Sequence, residues 1–213
     1  MKPSLFFAPF LLFMLTTQSF YSSVTAATID DFVYDIAGKK VVNGGVPYYI
    51  GPVEWAKGGG VKLINKKCPL NAIQDPKEVT KGDSFLFVLN AYNQTFLRLS
   101  YPLGVQLSKK SANQNGKCKG MTYLKIDDAQ AKPPSNLVTS DGLFERAVSC
   151  FQFVEYPKPT SAKVKSYLLQ LCPTFCGAGP DGCFNVSTYV DNGTRYLASR
   201  GTPLEIVFKK ASA

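Results

Sequence analysis

Short apolar runs separated by turn residues recur along most of the chain. They are rich in β-branched and aromatic residues and are bounded by Gly, Pro, Asn and Asp, which is typical of β-strands. The predicted strands are VPYYI, GGVKLI, SFLFVL, TFLRLSY, MTYLKI, FQFVEY, SYLLQL, STYV and LEIVF. No segment keeps apolar residues at the helical spacing of i, i+3, i+4 and i+7 over three turns. The pattern therefore predicts an all-β fold with almost no helix.

Two of the apolar segments, PLGVQL and PLEIVF, resemble each other. They begin at Pro102 and Pro203, 101 residues apart, so a period near 50 would make them two steps of a threefold repeat. A pseudo-threefold repeat favours a β-trefoil over a sandwich.

The first 26 residues have the features of a secretory signal peptide. A positive start at Met1–Lys2 precedes an apolar run from Leu5 to Leu15, and small residues at Val24 and Ala26 have the spacing that signal peptidase recognises. A membrane anchor would need about 20 apolar residues, and polar residues interrupt this run too early. We expect cleavage after Ala26, which leaves 213 − 26 = 187 residues, 27–213, as a single domain. The compartment would be extracellular (the apoplast) or vacuolar.

An even number of cysteines in an oxidising compartment predicts disulfides rather than metal ligation. The six are Cys68, Cys118, Cys150, Cys172, Cys176 and Cys183. No Cys-x-x-Cys pair and no histidine is present to complete a zinc site, so we expect neither a metal nor a cofactor.

The absence of histidine also argues against an enzyme. Hydrolases of the triad type need an imidazole to move the proton, and adjacent carboxylates such as Asp30–Asp31 and Asp127–Asp128 are better read as solvated surface. The net charge of +9 comes from scattered lysine pairs, whereas a nucleic-acid site would need a basic stripe interleaved with aromatic residues. We therefore expect no catalytic activity, no nucleic-acid partner and no membrane partner.

The segment FVYDIAGKKVVNGGVPYYI, from Phe32 to Ile50, resembles the N-terminal signature of the plant Kunitz trypsin-inhibitor family of the soybean type. The matching residues are Val33, Asp35, Gly38, Val41, Asn43, Gly44, Gly45, Tyr48, Tyr49 and Ile50. Ala37 and the extra Pro47 depart from the pattern, and both lie in predicted turns. The similarity continues through KKCPLNAIQDPKEVTKG, LFERAV, YLLQLCP, DNGTRYL and PLEIVF.

This resemblance implies a β-trefoil in which six of twelve strands close a short barrel and six cap it. It also implies a monomeric protein of plant defence whose partner is an extracellular or vacuolar protease of the serine or cysteine class. In such relatives Cys68 would pair with Cys118, and a second disulfide would close a short loop after the strand YLLQLC.

Four cysteines remain beyond the Cys68–Cys118 pair. A hairpin of FQFVEY with SYLLQL would bring Cys150 close to Cys172 and Cys176. We favour Cys172–Cys183 with Cys150–Cys176, and Cys150–Cys172 with Cys176–Cys183 stays open.

Inhibitory relatives insert an exposed loop into the protease cleft. By resemblance, this candidate reactive loop is Leu89–Arg98, and its tip falls within Ala91, Tyr92 and Asn93. An Arg or Lys at the tip selects trypsin-like enzymes, yet no basic residue lies between Lys81 and Arg98. The loop therefore predicts weak trypsin inhibition, although Tyr92 suits an apolar, chymotrypsin-like pocket.

A second loop, Glu155–Tyr167, contains prolines that stiffen it and three candidate pocket residues, Lys158, Lys163 and Lys165. We call it the secondary loop; it is otherwise an ordinary basic turn. Acceptor sequences for N-linked glycans occur at Asn93, Asn185 and Asn192. Asn93 is predicted to be the most accessible of the three.

Two functions remain. The first is a secreted Kunitz-type inhibitor that presents a rigid loop resembling a substrate, acting through an altered or secondary loop. The alternative is a non-inhibitory binding, signalling or storage member of the same family.

Overall fold

Antiparallel strands make up nearly all of the regular structure in the computed structural model, which describes residues 30–54, 58–64, 68–89, 93–109, 111 and 122–212. The strands are β1 Tyr48–Pro52, β2 Val61–Ile64, β3 Asn71–Gln74, β4 Ser84–Leu89, β5 Leu103–Leu107, β6 Tyr123–Lys125, β7 Thr139–Gly142, β8 Phe151–Glu155, β9 Tyr167–Leu171, β10 Phe184–Asn185, β11 Ser187–Asp191, β12 Thr194–Ala198, β13 Thr202–Pro203 and β14 Ile206–Lys210. Two 3₁₀ turns span Ala147–Ser149 and Pro173–Cys176. The predicted all-β class is confirmed.

Six strands close into a barrel, in the order β1, β4, β5, β8, β9 and β14, with β14 returning to β1. Adjacent barrel strands that follow one another along the chain form full hairpins, such as β8 with β9, in which Phe151 faces Leu171 and Glu155 faces Tyr167. The predicted hairpin of FQFVEY with SYLLQL is therefore confirmed.

Three further hairpins, β2–β3, β6–β7 and β11–β12, cap one end of the barrel. They contact one another through β3, which pairs with β7 at Asn71 and with β12 at Gln74. The β11–β12 connection is the two-residue turn Asn192–Gly193, and both residues have positive φ, of 46° and 76°. An Asn-Gly pair is the preferred sequence for such a turn. Six barrel strands and six cap strands form the predicted β-trefoil, and β10 and β13 are two-residue additions.

The pseudo-threefold relation differs from the one that we expected from PLGVQL and PLEIVF. Strand β5 is the first strand of the second unit, whereas β14 is the fourth strand of the third unit. The two segments therefore do not correspond under the threefold. They look alike because all barrel strands place large apolar side chains inside at alternate positions.

The threefold is visible instead in three buried phenylalanines on the fourth strand of each unit. Phe87, Phe153 and Phe208 have no exposed surface, and their ring centroids lie 4.8 to 5.2 Å apart. Their interplanar angles of 69° to 87° are edge-to-face, the favourable geometry for aromatic pairs. The core thus lies on the threefold axis inside the barrel.

The predicted strand TFLRLSY is wrong in its extent. Phe96 and Arg98 make only single bridges, to Val42 and Phe32, so the segment is extended but isolated from the sheet. Leu97 lies between two backbone partners, because its N–H donates to the Val41 carbonyl and its carbonyl accepts from Val33 N–H. Ser100, with φ of 59°, then turns the chain before β5.

Two disulfides join the four cysteines for which two pairings were open. Cys150 bonds Cys176, and Cys172 bonds Cys183, which is the pairing that we favoured. Cys68 is also in a disulfide; its expected partner, Cys118, lies outside the described residues, as does the predicted signal peptide. No helix in the described part of the chain has the length and hydropathy to cross a membrane.

Candidate functional site

The candidate reactive loop and the secondary loop occupy corresponding positions in the fold. The first connects β4 to β5 and the second connects β8 to β9, so each joins the fourth strand of one unit to the first strand of the next. Because the first and fourth strands run to and from the cap, both loops lie at the barrel end opposite the cap. The chain therefore presents two loops of equivalent position at one face of the molecule.

Asn43 spans the base of the candidate reactive loop with its side chain. Its Oδ1 accepts from the Leu89 backbone N–H at 2.9 Å, and its Nδ2 donates to the Gln94 carbonyl at 2.8 Å. The Asn43 backbone N–H also donates to the Thr95 carbonyl at 2.9 Å. One half-buried amide thus holds both ends of the segment that contains the predicted tip.

The Asn-Gly-Gly sequence explains how Asn43 reaches the loop. Gly44 and Gly45 both have φ of 65°, a left-handed conformation that costs glycine little. Gly44 donates its N–H to the Phe87 carbonyl at 2.7 Å, which places the turn against β4. These residues belong to the N-terminal signature, but the signature alone did not indicate that Asn43 holds the loop. The pair of glycines after an asparagine was the available signal.

The C-terminal side of the loop is held by a cluster of cations and aromatic rings. Arg98 Nη1 donates to both carboxylate oxygens of Asp31 at 2.8 Å, and its Nε donates to Gln94 Oε1 at 3.0 Å. The Phe32 ring contacts two cations, with Arg98 Cζ at 4.6 Å and Lys40 Nζ at 3.5 Å from its centroid. Arg98 is therefore occupied within the protein and does not project as a pocket residue.

Of the three predicted tip residues, Asn93 is exposed, whereas Ala91 and Tyr92 lie outside the described residues. Thr95, the hydroxyl residue of the Asn93 acceptor sequence, is exposed as well. The Asn185 acceptor is different: its Oδ1 accepts from Gln170 Nε2 at 2.8 Å, and its hydroxyl residue, Ser187, is only 3% exposed.

The secondary loop is fixed by a carboxylate from outside the loop. Glu205 accepts from the Thr160 backbone N–H at 2.9 Å, from the Thr160 hydroxyl, and from the Ser166 hydroxyl at 2.5 Å. Its three predicted lysines, Lys158, Lys163 and Lys165, are all exposed.

The three lysines are not equivalent. Lys165 Nζ lies 4.4 Å from the Tyr34 ring centroid, within the range of a cation–π contact. Lys163 lies in a turn in which its backbone N–H donates to Ser161 Oγ at 3.2 Å. Lys158 and Lys163 are therefore the better candidates to enter a pocket.

Among the described residues, the groups with shifted pKa values are Asp75, Tyr48, Tyr123 and Lys125, and none of them lies within either loop. Burial acts to raise the pKa of the Asp75 carboxyl group in the cap, but hydrogen bonds from Lys62, the Lys77 N–H and Thr80 outweigh it and lower this pKa. Burial raises the pKa of the Tyr48 hydroxyl, which accepts from the Val42 N–H at 3.1 Å beside Asn43. Within the described residues, no three His, Cys, Asp or Glu side chains are grouped so that they could hold a metal ion.

The model of the legume Kunitz family, described as trypsin and protease inhibitor, matches residues 33–210. The chain belongs to this family. Kunitz trypsin inhibitor 5 of Arabidopsis thaliana is 28% identical over 209 residues, which cover 95% of this chain and 97% of that protein.

Solved Kunitz structures have the same fold. Soybean trypsin inhibitor in complex with porcine pancreatic trypsin superposes with a TM-score of 0.66 at 23% identity, over 85% of this chain and 100% of that one. The Kunitz-type cysteine protease inhibitor PCPI-3 from potato superposes with a TM-score of 0.67 at 22% identity, over 85% and 97% of the two chains. At such identities these similarities establish the β-trefoil. The family as a whole supports a protease as the kind of partner.

Proposed function

We propose that the protein is a secreted or vacuolar inhibitor that binds a protease through the candidate reactive loop, as a rigid mimic of a substrate. The observation that carries this proposal is the Asn43 side chain, which hydrogen-bonds to Leu89 on one side of the tip and to Gln94 on the other. A loop held at both ends loses little conformational entropy when it binds, so more of the interaction energy appears as affinity.

The target is not a trypsin-like enzyme of the usual kind. Such enzymes select a cation through an acidic pocket floor, and the segment between Lys81 and Arg98 contains none. Arg98 itself is paired with Asp31. Tyr92 offers an aromatic side chain to an apolar pocket, which suits chymotrypsin-like enzymes.

The secondary loop is a second candidate surface. Its support is the bracing by Glu205, which ties Thr160 and Ser166 to the start of β14 and holds the turn that carries Lys163. Lys163 supplies the exposed cation that the first loop lacks. A trypsin-like protease would therefore bind to the secondary loop.

The decisive experiment is a titration of the secreted protein against trypsin, chymotrypsin, a papain-like protease and a serine carboxypeptidase. We expect trypsin to be inhibited only above micromolar concentrations, and any tight inhibition of chymotrypsin to be lost in Tyr92→Ala and kept in Lys163→Ala. Nanomolar trypsin inhibition that disappears in Tyr92→Ala would contradict the proposal. Trypsin inhibition that is lost only in Lys163→Ala would show that the inhibitory site is the secondary loop. If none of the four enzymes is inhibited, the non-inhibitory alternative replaces the inhibitor.

Glycosylation offers a separate test of the loop's accessibility and of secretion. We expect glycan occupancy to rank Asn93 first, because both it and Thr95 are exposed, and Asn185 last, because Ser187 is buried. Glycopeptide mapping of the secreted protein measures this order, and N-terminal sequencing of the same sample checks for a start at Ala27. A bare Asn93 beside a modified Asn185 would reverse the ranking and favour an unobstructed loop.

A further inference from the structure

A concave pocket lies on the barrel wall, and it shares no lining residue with either loop. It has a volume of about 290 Å³, and its floor is the start of β5, around Leu103, where that strand meets β8. Phe144, from the β7–β8 connection, and Phe175, from the 3₁₀ turn after β9, supply the aromatic walls. The pocket is thus formed by elements from three parts of the chain.

The walls of this pocket are covalently fixed. Cys150 and Cys176 both line the pocket, and their disulfide joins the segment after the first 3₁₀ turn to the end of the second. Ligand sites in proteins are usually concave, largely apolar and formed before the ligand arrives. The disulfide fixes this part of the pocket wall before any ligand binds.

Exposed apolar side chains concentrate around the same pocket. In the described residues, six large apolar side chains are exposed: Ile36, Val79, Tyr101, Leu143, Phe175 and Val190. Phe175 lines the pocket, and Tyr101 and Leu143 each precede a lining residue directly. Three of the six exposed apolar side chains therefore belong to the pocket lining or stand next to it in sequence.

One charged residue gives the pocket chemical character. Glu145 lines the pocket and is exposed, on a backbone with φ of 63°, which is unusual for a residue other than glycine. Residues in this conformation cluster at functional sites.

We infer that this pocket binds a small planar aromatic molecule that carries a positive charge. Its rings would pack against Phe144 and Phe175, and its cation would lie near the exposed Glu145 carboxylate at the mouth. A cavity of about 150 Å³ holds benzene, so the larger volume here has room for a bicyclic ring system.

Tryptamine, an indole with an ammonium group, is a suitable probe, and indole-3-acetate is the matched probe of opposite charge. We expect calorimetry with the secreted full chain to give a tryptamine Kd on the order of 0.1 mM, which is reasonable for a ligand of about twelve non-hydrogen atoms. Indole-3-acetate should bind at least about fivefold more weakly, because the Glu145 carboxylate repels it.

Two variants locate the site. Phe175→Ala should weaken tryptamine binding about tenfold, since it removes one aromatic wall. Glu145→Gln should reduce the difference in Kd between tryptamine and indole-3-acetate.

The matched controls are Val190→Ala, another exposed apolar residue, and Glu155→Gln, another exposed carboxylate; both should leave Kd unchanged. No saturable binding at 5 mM tryptamine (about fifty times the expected Kd) would overturn the inference. Binding that is unchanged in Phe175→Ala would overturn it as well, because the probe would then occupy another surface. Equal affinity for the two probes would refute the role of Glu145.

Discussion

Substitution of Asn43 tests whether rigidity of the candidate reactive loop comes from one side chain. Asn43→Ala removes two hydrogen bonds, to the Leu89 N–H and the Gln94 carbonyl, at 2.9 and 2.8 Å. Each is worth about 1 kcal/mol net, so the loss is about 2 kcal/mol. Since about 1.4 kcal/mol corresponds to a factor of ten, the loop should open about thirtyfold more often.

Amide hydrogen exchange measures this change directly. We expect exchange at the Leu89 amide to accelerate about thirtyfold in Asn43→Ala, and the loop to be cleaved faster by any protease that the protein inhibits. Inhibition should weaken by a similar factor, because the ordering cost moves to the binding step.

Two further variants separate the contributions of the two Asn43 hydrogen bonds. Asn43→Asp keeps an acceptor for the Leu89 N–H but cannot donate to the Gln94 carbonyl, so it should lose at least half of the stabilisation. Gln94→Ala is the control, because it removes the contact with Arg98 but keeps the backbone carbonyl that Asn43 binds. Leu89 exchange that stays within threefold of the original in Asn43→Ala would refute the assignment of loop rigidity to this side chain.

Three other predictions concern the scaffold. Phe153→Ala should lower the free energy of unfolding by about 3–5 kcal/mol in urea titrations, since the ring has no exposed surface; a loss below about 1 kcal/mol would contradict a tightly packed threefold centre. Because the pKa of Asp75 is lowered in the folded protein, its ion pair with Lys62 stabilises above the unfolded pKa of about 3.9 and is lost as pH falls through the folded value. Asp75→Asn should therefore lower the unfolding temperature at pH 7 but not at a pH well below the folded pKa of Asp75, and an equal loss at both would count against this ion pair. Replacing Cys150 and Cys176 together by Ser should lower the free energy of unfolding by about 3.5 kcal/mol, because the crosslink with a separation of 26 residues restricts the unfolded chain; an unchanged free energy of unfolding would contradict this.

Local sequence signals predicted the elements whose residues carry their own strand preference. Apolar runs such as SFLFVL and SYLLQL became β4 and β9, and the Asn192–Gly193 pair became the turn of the β11–β12 hairpin. The β8–β9 hairpin, together with the positions of the cysteines, was enough to favour the observed disulfides. These predictions succeeded because each depends on residues that are close in sequence.

Other elements depend on their pairing partners. Strands β3 and β7, NAIQ and TSDG, have no run of β-branched or aromatic residues. Strand β3 pairs with β2, β12 and β7, and β7 pairs with β6 and β3. The opposite error occurred at TFLRLSY. Its composition predicts a strand, but Phe96 and Arg98 form only single bridges, to Val42 and Phe32. The intrinsic strand preference of a segment has less effect on its structure than the presence or absence of a strand with which it can pair.

The fold class, the family and the chain positions of the two loops could be predicted from consecutive residues, because periodicity, turn residues and family motifs are local features. The contacts that hold and surround those loops depend on the tertiary structure. Asn43 contacts residues 46 and 51 positions away, and Glu205 braces a residue 45 positions away. The pocket likewise joins Leu103, Ser149 and Phe175, which no local pattern connects. Such contacts depend on how the barrel closes, and the order of residues along a strand does not specify that closure.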